Sequence, residues 1–182
     1  MALEVLRGGS IGMQKPSLDS KSLQAAIDKI RADQSDRSCA ILGSATLEAA
    51  LEQLLRAGMV PDTPAELFEG TGGLSTLASR IDTAFSLGLI SKAERSDLHI
   101  FRKIRNEFAH DFRHDLSFDS PAIGDRIRAL ALPALLEGRP EFQGGDLRYR
   151  FFLSVVLLPT FRNSRAVDFR IIHPRVLLMA SV

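Results

Sequence analysis

The sequence predicts an all-α protein, a multi-helix bundle of about five or six helices around one core. Two observations carry this prediction. Apolar residues recur at three- and four-residue spacing in most segments between residues 18 and 158, and helix-start signals precede several of these segments. Alternating runs typical of half-buried strands are scarce before the C-terminal tail, and no hairpin turn stands out there.

The apolar stripes locate the helices in chain order. A short helix is expected near 18–31, followed by helices at 38–59, 75–87, 92–112 and 122–132. The apolar run at 147–158 is too short to assign by periodicity, and we interpret it as helix because its neighbours are helical. Pro133 is expected to kink or end the helix before it, because proline lacks the N–H that a helix interior uses.

Capping residues mark three helix starts. Thr63–Glu66 (TPAE) and Ser91–Glu94 (SKAE) are capping-box patterns, with Ser or Thr first and Glu three residues later. The pair Ser120-Pro121 marks a third start, since proline is favoured at the first helical position. Each pattern provides a side-chain acceptor for the N–H groups that the first turn of a helix leaves without a partner.

Length and composition indicate one domain with tails. The 182 residues are 45% apolar and 25% charged, which is ordinary for a globular protein and enough to form a core. We expect a flexible leader at 1–16, a helical domain at 17–162 and a C-terminal extension at 163–182. The net charge of +1 gives no overall attraction to nucleic acid, so a nucleic-acid site would need a local patch.

Cysteine usage and hydropathy favour a cytoplasmic location. Cys39 is the only cysteine, so an internal disulfide is excluded, and its apolar neighbours predict a small buried side chain rather than a nucleophile. The leader lacks the continuous apolar core of a signal peptide. The most apolar run, at 151–159, is far shorter than the roughly 20 residues that a membrane helix needs.

The stretch FRKIRNEFAH at 101–110 holds the candidate catalytic residues Arg105, Asn106 and His110. An imidazole transfers protons near neutral pH, and a guanidinium binds phosphate and stabilises negative charge. Metal-free RNA cleavage, with the ribose 2′-OH as nucleophile, would use such groups. The alternative is a helix end where cations favour the dipole and Arg105 pairs with Glu107 or Asp111.

Two other motifs are weaker signals. His110 and His114 have the spacing of two zinc ligands on a helix, but no third ligand is evident, so no metal and no cofactor are predicted. The glycine-rich segment at 68–76 feeds a helix and lacks the GK[ST] ending of a phosphate-binding loop. It is either an anion-binding turn or, as we favour, a plain turn with Ser75 as the helix cap.

Three blocks, DRSCAILGSATLEAALEQLL at 36–55, LFEGTGGLSTLASRIDTAFSLGLIS at 67–91 and ERSDLHIFRKIRNEFAHD at 94–111, together resemble the mannitol operon repressor family over roughly 35–118. The resemblance implies an all-helical bacterial protein that exerts negative control of mannitol-utilisation genes. It implies action through a protein partner, assembly into a homodimer or higher oligomer, and no DNA-reading helix-turn-helix. The basic residues of 102–113 are interspersed with Glu107 and Asp111, which agrees with the missing DNA reader.

The segment RNEFAH also resembles the R-polar-x-x-x-H pattern of HEPN domains. That resemblance implies a metal-independent ribonuclease or toxin in which Arg105 and His110 are the catalytic pair and Asn106 is the polar residue after the arginine. The first hypothesis is therefore a cytoplasmic transcriptional regulator that needs no direct sequence-specific DNA binding and no membrane. The alternative is an RNA-binding or RNA-cleaving protein, and regulation ranks first because three blocks support it.

Overall fold

The computed structural model describes residues 20–33, 35–112, 115–134 and 146–159. Within these ranges the chain forms α-helices and one 3-10 helix, and no strand, which confirms the all-α prediction. The expected leader at 1–16 and extension at 163–182 lie outside the described residues. The helices are α1 Ser20–Ala32, α2 Asp36–Ala57, the 3-10 helix Ala65–Phe68, α3 Leu77–Ser86, α4 Lys92–His110, α5 Pro121–Arg128, α6 Ala131–Ala134 and α7 at 147–159.

The start of α4 confirms the predicted capping box. The Ser91 hydroxyl accepts a hydrogen bond from the Glu94 backbone N–H at 3.2 Å, and the Glu94 carboxylate accepts one from the Ser91 N–H at 2.6 Å. The residues before the cap, Leu89 and Ile90, are buried in the core. Glu94 itself is only 2% exposed, so its carboxylate closes the helix instead of facing solvent.

The TPAE pattern was wrong as the start of an α-helix. It leads only into the 3-10 helix Ala65–Phe68, whose preceding residue is Pro64. The Thr63 hydroxyl donates to the Val60 carbonyl at 2.7 Å instead of capping the next turn. Thr63 therefore closes the turn that follows α2, and its sequence pattern precedes a short 3-10 helix rather than an α-helix.

Two other starts differ in the residue that provides the cap. Thr76, not Ser75, precedes α3, and its hydroxyl accepts from the Ser79 N–H at 3.1 Å. The α5 helix begins after Ser120 as predicted, but the Ser120 hydroxyl accepts from the Ser117 N–H at 3.0 Å, outside the helix. Neighbouring hydroxyls compete for such positions, and the path of the incoming chain selects between them.

Helix α4 lies at the centre of the fold, where α2, α3, α5 and α6 pack against it. Its predicted apolar stripe is buried, and Phe101 packs on Phe151 of α7 with ring centroids 4.6 Å apart. Phe118 connects the same cluster, at 4.9 Å from Phe151 and 5.6 Å from Phe108. Aromatic pairs at such distances add to the apolar burial that holds the helices together.

The ambiguous run at 147–158 is helical, as interpreted, and it packs on α2 at Gly43. A Cβ atom at Gly43 would lie 2.9 Å from Val155, which is closer than real Cβ contacts, and 3.1 Å from Phe151, which is tighter than most of them. The missing side chain therefore lets α2 and α7 approach closely. No helix within the described ranges is both long and apolar enough to cross a membrane.

The chain breaks between α5 and α6, four residues before Pro133, so the expected helix at 122–132 is two helices. The Asp97 carboxylate of α4 accepts from the first N–H groups of α6, Ala131 at 2.8 Å and Leu132 at 2.9 Å. Arg150 of α7 donates to the three carbonyls at the end of α5, those of Ile127, Arg128 and Leu130, each at 3.1 Å. Two distant side chains thus satisfy the backbone groups that the break exposes.

Candidate functional site on helix α4

The three predicted site residues lie in the last two turns of α4. Arg105 and His110 are exposed and Asn106 is half-buried. The structure brings two of them together, since Arg105 Nη1 donates to Asn106 Oδ1 at 3.4 Å. His110 is five positions from Arg105, about 140° around the helix, and no hydrogen bond among the described residues joins it to the other two.

The carboxylates expected to pair with Arg105 have other partners. Glu107 forms an ion pair with Arg126 of α5, at 2.6 Å between Nη1 and Oε1. The Asp111 side chain accepts from the Leu116 N–H at 3.1 Å, and the Asp111 carbonyl accepts from Arg37 of α2 at 2.8 Å. The alternative pairing of Arg105 with Glu107 or Asp111 is not formed, and the end of α4 is connected to α5 by the Glu107 carboxylate and to α2 by the Asp111 backbone carbonyl.

These contacts change the charge that α4 presents. Of its three carboxylates, Glu94 and Asp97 are buried in helix caps, and Glu107 is paired with Arg126. Glu94 and Asp97 therefore contribute little to the charge that α4 presents to solvent, whereas the Glu107 side chain stays 35% exposed in its ion pair. The exposed part of α4 is basic, with five cations along it: Lys92, Arg95, Arg102, Lys103 and Arg105.

A polar cluster joins α3 to the first half of α4. The Asp82 carboxylate accepts from Arg95 Nε at 2.9 Å and Nη2 at 2.7 Å, and from His99 Nε2 at 3.3 Å. These hydrogen bonds, from Arg95 first and His99 second, lower the pKa of Asp82. The Arg95 guanidinium also lies over the ring of Phe85, 5.1 Å from its centroid.

Exposed apolar side chains border this cluster. Phe85 in the last turn of α3 is 38% exposed, and Leu87 in the turn to α4 is 48% exposed. Lys92, Arg95, His99 and Lys103 follow along α4 at spacings of three and four residues, so they share one side of the helix over about 16 Å. We call the surface formed by these six residues the α4 face: Phe85, Leu87, Lys92, Arg95, His99 and Lys103.

The glycine-rich segment at 68–76 is held by a buried arginine. Arg80 of α3 donates to the Leu74 carbonyl at 2.6 Å and the Phe68 carbonyl at 2.8 Å, and its Nη1 lies 3.2 Å from Glu48 and 3.1 Å from Glu52 on α2. The role of Arg80 was not predicted from the sequence. The available signal was its position on the apolar stripe of α3, between Leu77 and Ala84, where a cation is unusual.

The N–H groups of the same segment bond within it. Gly72 donates to the Glu69 carbonyl at 2.9 Å, Leu74 to the Leu67 carbonyl at 2.9 Å, and Ser75 to the Gly72 carbonyl at 3.0 Å. An anion site needs converging N–H groups that are available to a ligand. The geometry therefore favours the turn interpretation over the anion-binding one.

Cys39 is buried, as predicted, with 1% of its surface exposed. Burial raises the pKa of its thiol to about 11, which keeps it protonated at neutral pH. His114 lies outside the described residues, so the histidine pair at 110 and 114 remains without a structural account. In the ranges that are described, no group of three His, Cys, Asp or Glu side chains is placed to hold a metal ion.

The comparisons with known proteins agree with the three-block resemblance. A family model described as MtlR, mannitol repressor, matches residues 27–141, which is more than half of the chain. A chain of the X-ray structure of the MtlR-HPr complex from Escherichia coli is similar in fold, with a TM-score of 0.62 and 22% sequence identity over 79% of this chain and 97% of that chain. No curated protein matches this chain.

Proposed function

Because this chain belongs to the mannitol repressor family, we propose that it regulates a mannitol-utilisation operon by contact with a protein partner and not by reading DNA itself. The family match over residues 27–141 carries the proposal, since it covers the bundle from the second half of α1 to α6. The solved structure similar in fold is a complex with HPr. An HPr protein from the same organism is therefore the first candidate partner.

The packing of α4 supports contact with a protein surface. A helix that reads bases must project from its domain to enter the major groove, which is about 12 Å wide. Helix α4 instead packs against α2, α3, α5 and α6, so only a stripe of it faces solvent. A broad, shallow surface of this kind suits a folded protein better than a groove.

The experiment is a titration of the purified protein with HPr in a calorimeter, beside a gel-shift assay with the mannitol promoter. We expect a saturable complex with HPr and no promoter-specific shift by the protein alone. A protein of similar size and charge to HPr is the control for non-specific attraction. A specific promoter shift without any HPr binding would contradict the proposal.

Domain limits at 17–162, self-association and a cytoplasmic location stay predictions. Light scattering during gel filtration of the full chain measures the oligomer directly, and fractionation of cells measures the location. Assembly matters for the mechanism, because a dimer would present two copies of any partner-binding surface. A monomer at micromolar concentration would contradict the expected homodimer or higher oligomer.

The ribonuclease alternative has its own test. Arg105 and His110 are exposed, and no described carboxylate forms an ion pair with Arg105, so both groups are available to an RNA phosphate. The measurement is cleavage of a mixed RNA pool in excess chelator by wild type and by His110→Ala. Cleavage that disappears in a folded His110→Ala variant would establish the alternative, and absence of cleavage by wild type would remove it.

A further inference from the structure

We propose that the C-terminal segment 160–182 packs back onto the outer side of α7 and covers an apolar stripe there. The inference goes beyond the proposed function, and its test needs no partner. Both α7, at 147–159, and the segment lie outside the family match at residues 27–141, so that match assigns no role to either.

Helix α7 packs on the bundle with one side. Phe151 and Val155 lie against Gly43 of α2, and Leu158 borders a crevice between α2 and α4. Phe151 and Val155 are fully buried and Leu158 is 6% exposed. These three residues therefore define the buried side of α7.

The opposite side of α7 is apolar as well. Tyr149, Leu153 and Val156 follow each other at spacings of four and three residues, so they form a stripe roughly 130–170° around the helix from the buried side. Tyr149 is 37% exposed, and Leu153 and Val156 are half-buried. We call these three residues the α7 outer face.

The composition of α7 indicates that its outer face is covered. No charged residue occurs from 151 to 159, and the single hydroxyl there, that of Ser154, is buried. A helix at the surface carries charged or polar side chains on its outer side, whereas a helix that is apolar all round is buried. Two turns of α7 therefore have the composition of a buried helix.

The structure leaves room for a covering segment beside this face. A cleft of about 390 Å³ is lined by Tyr149 and Phe152 and, among the other described residues, by Asp146 and Arg148. Its volume is at the lower end of the roughly 300–1,000 Å³ of pockets that enclose a bound molecule. Side chains of another segment can therefore enter the cleft and contact the aromatic rings.

The segment 160–182 has the position, length and composition of the cover. It begins at the residue after α7, and more than half of its 23 residues are apolar, against 45% in the whole chain. The path from Pro159 back to Tyr149 is about 15 Å along the helix, which about five residues of extended chain span. The segment is therefore long enough to cross the whole α7 outer face.

Covalent attachment favours this segment over a second copy of the chain. A tethered segment is present at a millimolar effective concentration beside its site. A stable interface between two proteins buries about 800 Å² on each partner, which is far more than a stripe of three side chains provides. We therefore commit to the C-terminal segment as the occupant.

The test measures how fast a thiol on the α7 outer face reacts in the full-length chain. Val156→Cys places a side chain of similar size on the face, and Ala49→Cys is the control at an exposed position on α2. Cys39 is 1% exposed, so its labelling reports unfolding in every sample. Peptide mass spectrometry follows each thiol separately, at low and at high micromolar protein concentration.

Two changes within the segment are then added to Val156→Cys. Phe169→Asp together with Leu177→Asp puts charge into both apolar parts of the segment, and Ser164→Asp adds a charge at a polar position as the matched control. Circular dichroism in urea checks that the variants stay folded. A folded variant has an unlabelled Cys39, which separates loss of the cover from loss of the fold.

We expect the thiol of Val156→Cys to react about tenfold more slowly than that of Ala49→Cys at every concentration, and to lose this protection with the double substitution but not with Ser164→Asp. Equal rates for the two thiols would overturn the inference, because the face would be open to solvent. Protection that the double substitution leaves intact would overturn it in favour of another part of the chain. Protection that disappears on dilution would overturn it in favour of a second copy, and none of these results bears on HPr binding.

Discussion

Arg80 is the side chain whose removal tests the fold most sharply. Its side chain is 6% exposed and donates hydrogen bonds to the carbonyls of Phe68 and Leu74, which have no access to solvent there. It also forms ion pairs with Glu48 and Glu52 of α2. Arg80→Ala leaves two buried carbonyls without a donor, and each such loss costs about 1–3 kcal/mol. In this variant Glu52 keeps Arg56 as a partner at 3.0 Å, and Glu48 is 30% exposed. The lost ion pairs therefore add little to the expected loss of unfolding free energy.

The expected loss of unfolding free energy for Arg80→Ala is therefore about 3–5 kcal/mol, a large part of the roughly 5–15 kcal/mol of a typical domain. Arg80→Lys is expected to lose about half as much, because one ammonium keeps the charge but cannot span both carbonyls. The assay is urea unfolding followed by circular dichroism, since the chain has no tryptophan and one tyrosine.

Arg128→Ala is the matched control for this series. Arg128 also pairs with a carboxylate, Asp125 at 2.9 Å, but both side chains are more than half exposed, so solvent screens the pair and its loss is expected to be small. If Arg80→Ala unfolds at the same urea concentration as Arg128→Ala, the reasoning from burial is refuted. A folded Arg80→Ala variant with normal stability would also mean that the 68–76 segment does not depend on this side chain.

Three further predictions concern packing, pH and thiol chemistry. Gly72→Ala should destabilise the protein by about 2 kcal/mol or more in urea, because the new Cβ would overlap backbone carbonyl oxygens of the preceding turn, whereas Gly73→Ala, with its nearest side chain 3.9 Å away, should not. Burial raises the pKa of Asp97 in the folded state, so its contribution to stability is fully present below the unfolded pKa and is lost as pH rises through the folded pKa. Wild type should therefore gain stability relative to Asp97→Asn as acid is added, and a difference that stays constant in urea titrations at several pH values would contradict this assignment. Cys39 should react with a thiol reagent at neutral pH only after unfolding, because its thiol is buried with a pKa of about 11, and rapid labelling of the native protein would argue against the packing around it.

The elements predicted best from sequence are those whose information is local. The α4 helix begins at Ser91 and buries Phe101 and Phe108, because a capping box and a stripe at helical spacing act within a few residues of each other. The TPAE pattern at 63–66 has similar local chemistry but no apolar stripe that the core could bury. It therefore remains a single 3-10 turn.

Predictions that depended on partners far along the chain were less successful. The break between α5 and α6 depends on Asp97 and Arg150, which lie 20 or more residues away from the groups they bind. Arg80 was not identified because its four partners come from α2 and the 68–76 segment. Such contacts have no signature in a single sequence beyond a charged residue at an apolar position.

The helical class, the core stripe of α4 and the family can be predicted from the sequence, because each depends on residues that are close together or on blocks that keep their order. What α4 presents to solvent depends on contacts between helices. Counted along the chain, its cations are diluted by acidic residues, but Glu94 and Asp97 turn inward to cap helices and Glu107 pairs with α5. Burial removes Glu94 and Asp97 from the surface and Glu107 is engaged by Arg126, so the side of α4 that faces solvent carries mostly cations.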